Sequence, residues 1–390
     1  MKNILYLILG SFCFLSAQVN IRGNLSTSLY SFESAGNENN LNFYQGLYFK
    51  VTPENNPDFY FKSNLRLIKT SNPSEWNNKV YNSHIGWRTS LMKTELRLGR
   101  QFVYSGVISG TMDALYLSLS PVANLNMKFV GGVVAPFDRK PEVTQWDDGN
   151  VLGAYTSYRF DKALKTDISY FQKTRNEELY WQQAGASFSG TMNQLFYRVK
   201  YDHNLLTSEY QAIRSNLTYY LDLWSFSAEY SSQRPRVYED SFFSIFKIKA
   251  HNQIRVAATR NISEYQVGLQ FINTSFEEGE SSNQVLATLG NKWGILGLIY
   301  QGGYGGDNIG IYAEVKYQLL NNLKLNLHSS HYKYQRQSVQ IDENATAFMA
   351  GLQYQMLKSL RLDLQLQESI NNAYESDLRG LFRLNYSFKY

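Results

Sequence analysis

Cysteine, proline and long apolar runs are nearly missing from this chain. The one cysteine, Cys13, falls inside the N-terminal apolar stretch, and everything after it is cysteine-free. A disulfide framework, a thiolate zinc site and a cysteine nucleophile are thereby excluded. Past that stretch no segment approaches about 18 consecutive apolar residues, so helical membrane spans are excluded too. Sustained i, i+3, i+4, i+7 spacing is scarce, which argues against helices in general. Prolines number 7, and no Pro-rich tract or shift of composition marks a linker. A net charge of +5 over 390 residues is too mild to call for a nucleic-acid partner.

What is there begins with a leader. Lys2, an apolar run from Ile4 to Leu15, and the small pair Ser16 and Ala17 before Gln18 have the layout of a secretory signal peptide. Bulky Phe12 ahead of Cys13 disfavours a lipidated cysteine. Residues 1–17 are therefore expected to be removed, leaving residues 18–390 as one domain.

The mature segment alternates with period two, the signal of strands with two different faces. Leu41, Phe43, Leu47, Phe49 and Val51 alternate with Tyr44, Gly46, Tyr48 and Lys50; Phe59, Phe61, Leu65 and Leu67 alternate with Tyr60, Lys62, Asn64 and Arg66. Ten short turns are predicted near residues 52–58, 90–93, 120–124, 160–165, 189–194, 221–224, 260–264, 290–293, 319–322 and 356–359. Ten turns separate eleven hairpins, hence about 22 strands, within a range of 16 to 22. Longer polar connections, such as 136–150 ("PFDRKPEVTQWDDGN"), fall between them. Two hairpins repeat: "YQLLNNLKLNL" from Tyr317 and "YQMLKSLRLDL" from Tyr354 are offset by 354 − 317 = 37 residues.

The second face is polar, not merely less apolar. Lys50, Lys62, Arg66, Arg88, Arg97, Lys128, Arg159, Arg198, Lys200, Arg255, Lys316, Lys324 and Arg361 share it. Burying such side chains unpaired between two soluble sheets costs several kcal/mol each. A water-filled lumen removes that cost, and hydrocarbon outside takes the apolar face. The sequence therefore predicts an all-β fold: a transmembrane antiparallel up-and-down barrel, with short periplasmic turns and longer extracellular loops. Tyr48, Tyr158, Trp181, Tyr219, Trp224 and Trp293 suit its two interfacial aromatic girdles.

The chain ends on "FRLNYSFKY", in which Phe382, Leu384, Tyr386, Phe388 and Tyr390 alternate with Arg383, Asn385, Ser387 and Lys389. With the leader and the alternation, this terminus resembles a Gram-negative outer-membrane β-barrel. The resemblance implies residence in the cell outer membrane, among phospholipid and lipopolysaccharide, and a terminal strand read by the barrel-insertion machinery through Phe388 and Tyr390. Within the barrel, Leu96–Ser120 resembles the "GRQ" hairpin of porin families that include alginate-export-type porins. Gly99, Arg100, Gln101 and Asp113 match, and Ala114 stands where those families often carry glycine.

Register poses a problem at Arg100. Leu96 and Leu98 point outward, so strict alternation turns Arg100 to lipid, at a cost of about 2–4 kcal/mol near mid-bilayer. A bulge at Gly99 that returns Arg100 to the lumen is favoured over a rim position. Arg100 would then join Arg66, Arg88 and Arg97 in a basic ladder. Lys62, Gln101, Asp113, Lys128, Arg159 and Arg198 complete the expected pore lining. The plainer reading is salt bridges that stiffen the wall, with Glu95, Asp167, Glu229, Glu314 and Asp363 as partners.

Asp138, Glu142, Asp147 and Asp148 in the 136–150 segment do not match an EF-hand, and a solvated extracellular loop is preferred to a cation site or an inward constriction. Neighbouring Ser83 and His84 face opposite ways, and Ser329 and His331 share a face without an acidic orienter, so no catalytic role is assigned. No metal or cofactor is implied. The function expected is a porin-like channel for passive diffusion of small polar solutes, anionic or sugar-like. The rival is a non-conducting barrel that serves a surface export or adhesion system. Self-association into a homo-oligomer stays open.

Overall fold

The computed structural model describes residues 18–33, 38–71, 74–234, 250–335, 341–372 and 374–390; the expected leader lies outside them. The strands are β1 (Val19–Glu33), β2 (Asn39–Pro53), β3 (Phe59–Lys69), β4 (Trp76–Thr89), β5 (Thr94–Ser105), β6 (Ile108–Val122), β7 (Leu125–Val134), β8 (Asn150–Arg159), β9 (Lys165–Arg175), β10 (Glu178–Met192) and β11 (Leu195–Asn204). They continue as β12 (Glu209–Leu221), β13 (Trp224–Gln233), β14 (His251–Ile262), β15 (Tyr265–Phe276), β16 (Ser281–Asn291), β17 (Gly294–Gly303), β18 (Asp307–Leu320), β19 (Leu323–Gln335), β20 (Asp342–Leu357), β21 (Leu360–Asn371) and β22 (Tyr374–Lys389). All 22 belong to one sheet, each antiparallel to its neighbours.

The sheet closes on itself. β1 pairs with β2 on one side and with β22 on the other, so Leu25 lies opposite both Leu47 and Tyr386. Tyr390 exchanges two backbone hydrogen bonds with Ile21, at 2.8 and 2.9 Å. A Cβ on Gly23 would lie 2.5 Å from the Phe388 ring, so the glycine leaves a seat for that ring on the outer face of the seam. Closure leaves no strand edge to be wetted inside hydrocarbon.

Every predicted turn site coincides with a link at one end of the barrel. The repeated hairpins are β18–β19 and β20–β21, and each carries a register shift just before its turn, at Gln318/Leu320 and Gln355/Leu357. In both, the glutamine amide donates to the carbonyl two residues on, so the repeat in sequence is a repeat in turn geometry. The opposite end carries the longer links, including 135–149, although β5–β6, β9–β10 and β21–β22 are joined there by two residues each.

Cross-strand register assigns the faces. One row runs Leu25, Leu47, Leu65; its neighbour on the other face runs Arg22, Lys50, Lys62. Large apolar side chains are exposed on the outer row around the sheet, Leu98 at 61%, Ile168 at 69% and Leu366 at 60% among them. Such a band is costly in water and stable in hydrocarbon. Twenty-two strands about 4.8 Å apart, tilted by about 40°, enclose a ring roughly 40 Å across, wide enough for a hydrated lumen.

Arginine at outward Leu25 is expected to cost about 2–4 kcal/mol of folding free energy, whereas arginine at inward Asn24 costs little. Urea-titrated folding into lipid vesicles of Leu25→Arg and Asn24→Arg checks the assignment.

Candidate pore lining and the inward hairpin

β5 and β6 leave the wall partway up. β4 pairs with β5 only as far as Ser83 opposite Arg100, and β7 pairs with β6 only as far as Val134 opposite Met112. β5 and β6 stay paired with each other up to Ser105 and Ile108. Their upper part, 101–111, is thus a hairpin without wall neighbours. It lies inside the barrel: the Val107 amide donates to Ser169 Oγ at 3.0 Å, Lys200 Nζ to the Gly106 carbonyl at 3.3 Å, and Lys128 Nζ to Ser105 Oγ at 3.1 Å.

Apolar packing holds it there. Val103, Val107, Ile108 and Met112 form a buried cluster with Val130, Val151, Tyr155 and Phe171 on the inner wall. Side chains of this size each contribute about 1.5–3 kcal/mol on burial. Two wall glycines make room: a Cβ on Gly153 would lie 2.9 Å from Ile108 Cδ1, and one on Gly185 would lie 2.5 Å from Val107 Cγ1. Phe102 and Tyr104, on the hairpin's other face, stay 57% and 66% exposed toward the open lumen.

The bend is made at Gly99 and fixed by Arg100. Gly99 has φ +124°, and a Cβ there would lie 2.4 Å from the Ser83 carbonyl oxygen. The expected bulge is not found, because pairing runs through Gly99 without a register shift. Arg100 keeps the outward register yet is 4% exposed, so it is neither on the pore wall nor in lipid. Its fork meets Asp113 at 2.9 and 2.8 Å, and its remaining donors reach the carbonyls of Val80 (3.4 Å), Lys140 (2.5 Å) and Glu142 (2.6 Å).

Lys140 and Glu142 belong to the 135–149 link, which closes the space vacated by the hairpin. Its Arg139 carbonyl accepts from the Val80 amide of β4, and the Ala135 amide donates to the Thr111 carbonyl of β6. The long loop is therefore a wall patch, and the short hairpin beside it is the inward element. Gln101 is also removed from the pore surface: it is fully buried, with Nε2 donating to the Ala114 carbonyl at 2.9 Å. Within the link, Lys140 Nζ forms an exposed ion pair with Asp138 at 2.9 Å. Among the described residues no three His, Cys, Asp or Glu side chains gather as a metal site.

Below the bend the inner wall is crowded with cations. Lys389, Arg22, Lys50 and Lys62 stand opposite one another across four adjacent strands. Glu95 accepts from Tyr60 Oη and Arg88 Nε, each at 2.8 Å, with Arg97 Nε 4.0 Å away. Aromatic rings steady these side chains, Arg97 over Tyr116 at 3.7 Å, Lys50 over Tyr60 at 4.5 Å and Arg66 over Tyr81 at 5.4 Å. Arg66 also faces Lys79, Arg159 faces Lys165, and Arg198 faces Asn216.

Salt bridges use some of this charge: Arg255–Glu229 at 3.7 Å, Lys316–Glu314 at 2.6 Å and Arg361–Asp363 at 3.2 Å. Asp167 instead accepts from the Ser187 hydroxyl. No carboxylate lies within ion-pair distance of Arg22, Lys50, Lys62, Arg159 or Arg198 among the described residues.

The girdle expectation divides. Tyr158, Tyr219 and Trp224 take the outward register, but Tyr48 and Trp181 face the lumen, beneath Lys62 and Lys173. Trp293 sits in a turn under Lys292. His331 points outward and is hydrogen-bonded to Thr346 at 2.8 Å, away from any lumen chemistry.

No protein-family model and no curated protein matches the chain. Solved structures do. The P pilus usher PapC translocation pore superposes with a TM-score of 0.51 at 10% identity, covering 94% of this chain and 99% of that one. OccK1 (OpdK) of Pseudomonas aeruginosa gives a TM-score of 0.46 at 11% identity, covering 96% and 99%, and OccD1 (OprD) gives 0.44 at 9%, covering 95% and 96%. The fold is that of an outer-membrane β-barrel. At these identities the likeness concerns the fold alone.

Arg100→Ala strands Asp113 at the bend and is expected to cost about 3–5 kcal/mol locally. Hydrogen exchange over residues 101–111 should rise sharply in that variant. Arg100→Met paired with Asp113→Leu should restore most of the protection.

Proposed function

We propose that this barrel is an outer-membrane channel for small polar solutes, with a preference for anions. The observation that carries the reading is the inner wall below the hairpin, where Arg22, Lys50 and Lys62 face one another with no carboxylate between them. Like charges directly opposite destabilise a sheet pair unless water or counter-ions occupy the space. A conducting lumen supplies both. Rings of charged side chains set the sign of the preferred ion, and the hairpin narrows one sector of the passage.

In this reading the short-turn end faces the periplasm and the apolar band lies in phospholipid and lipopolysaccharide. Phe388 and Tyr390 serve insertion of the last strand. The pore lining drawn from the expected set is Lys62, Arg66, Arg88, Arg97, Lys128, Arg159 and Arg198; Arg100, Asp113 and Gln101 hold the bend. The likeness in fold to a translocation pore keeps the rival in view, a barrel serving a surface export system without ion conduction of its own.

Purified protein in planar bilayers separates the two. Discrete conductance steps are expected, and in a KCl gradient the reversal potential should report anions. Lys50→Gln with Lys62→Gln should move it toward zero, and replacing residues 101–111 by a short Gly-Ser link should raise the step size. A silent membrane would refute the channel, and cation preference would refute the basic wall as selector.

A further inference from the structure

Between β7, β8 and β9, at the short-turn mouth, the inner wall holds a recess of about 370 Å³, within the ligand-sized range of roughly 300–1,000 Å³. Asn126, Lys128, Tyr155, Ser157, Arg159 and Lys165 line it, all in the inward register. We propose that this recess binds a dianionic oxyanion, specifically the phosphate group of a small phosphomonoester or of inorganic phosphate.

Three observations converge. Arg159 and Lys165 stand directly opposite each other in the β8–β9 pair, an arrangement that is unfavourable when empty. Lys128 brings a third cation from β7, and none of the three has a carboxylate within ion-pair distance among the described residues. The acid nearest in register, Asp167 opposite Ser157, has Oδ2 engaged by the Ser187 hydroxyl at 2.5 Å. Three cations around one recess match a dianion better than chloride or a lone carboxylate. Arginine's planar fork suits phosphate oxygens, and the Ser157 hydroxyl adds a neutral donor, while the Asn126 amide on the recess wall is turned to Ser120 Oγ at 3.2 Å.

The recess lies directly beneath the inward hairpin. Lys128 Nζ donates to Ser105 Oγ at 3.1 Å and lies over the Tyr155 ring, 5.1 Å from its centroid. A solute that passes the hairpin therefore meets this site before the periplasmic mouth. The inference deepens the channel reading and takes its transport role from it, but the binding itself needs no conduction.

Equilibrium binding in detergent at low ionic strength tests it, using inorganic phosphate and glucose 6-phosphate as probes with glucose as control. Saturable binding of both phosphates and none of glucose is expected, weakened on the order of tenfold or more by Arg159→Gln with Lys165→Gln. Lys324→Gln, at another sector of the rim, should bind as the parent does. Phosphate should also raise the urea midpoint of the parent but not of Arg159→Gln, which reads occupancy in a protein known to be folded. Non-saturable binding, or equal binding by the double variant, overturns the proposal. Saturable binding by a protein that carries no current supports the site and removes the channel.

Discussion

A backbone amide or carbonyl in hydrocarbon must find a protein partner, and the rest of this structure follows from that constraint. A complete ring of paired strands meets it, which is why Tyr390 is tied back to Ile21 and why the last strand retains order to its end. Sending the tip of β5 and β6 into the lumen breaks the ring above Ser83 and Val134. The gap is tolerable only because the 135–149 link fills it, giving its Arg139 carbonyl to Val80 and the carbonyls of Lys140 and Glu142 to Arg100. Arg100 is thus the joint where three parts meet: the wall at Val80, the hairpin at Asp113 and the patch.

A second balance governs the lumen. Buried cations would be ruinous in a dry interior, yet the wall sets Lys389, Arg22, Lys50 and Lys62 side by side and Arg159 against Lys165. Aromatic faces offset part of the cost, as Tyr60, Tyr116 and Tyr155 each carry a cation. Glu95 offsets another part. What remains is positive potential concentrated toward the short-turn mouth, on the side the inward hairpin also occupies. In the proposed channel, charge and steric narrowing would act on the same solute in sequence.

Much of this was legible in the sequence because period two is a strong signal when both faces are chemically distinct. The turn sites, the strand number and the inward register of residues such as Lys62 and Arg198 follow from counting. The hairpin did not follow, because alternation reports which face a residue takes and not whether its strand remains in the wall. The available signal was a contradiction: Val103, Ile108, Met112, Val130 and Val151 are apolar on the face that is polar elsewhere, opposite Gly153 and Gly185. Alternation offers Arg100 only lipid or lumen, and the structure supplies a third environment that exists only when a distant loop packs beside it.

The hairpin's place inside the lumen is the central claim, and a cross-link tests it most directly. In a Cys13→Ser background, Val107→Cys and Ser169→Cys should form a disulfide under mild oxidation in native membranes, because the Val107 amide lies 3.0 Å from Ser169 Oγ. Val107→Cys with Ile168→Cys, whose side chain faces outward, should not. Failure of the first pair to cross-link in folded protein, or equal cross-linking of the second, would mean that the hairpin stays in the wall and would contradict the account.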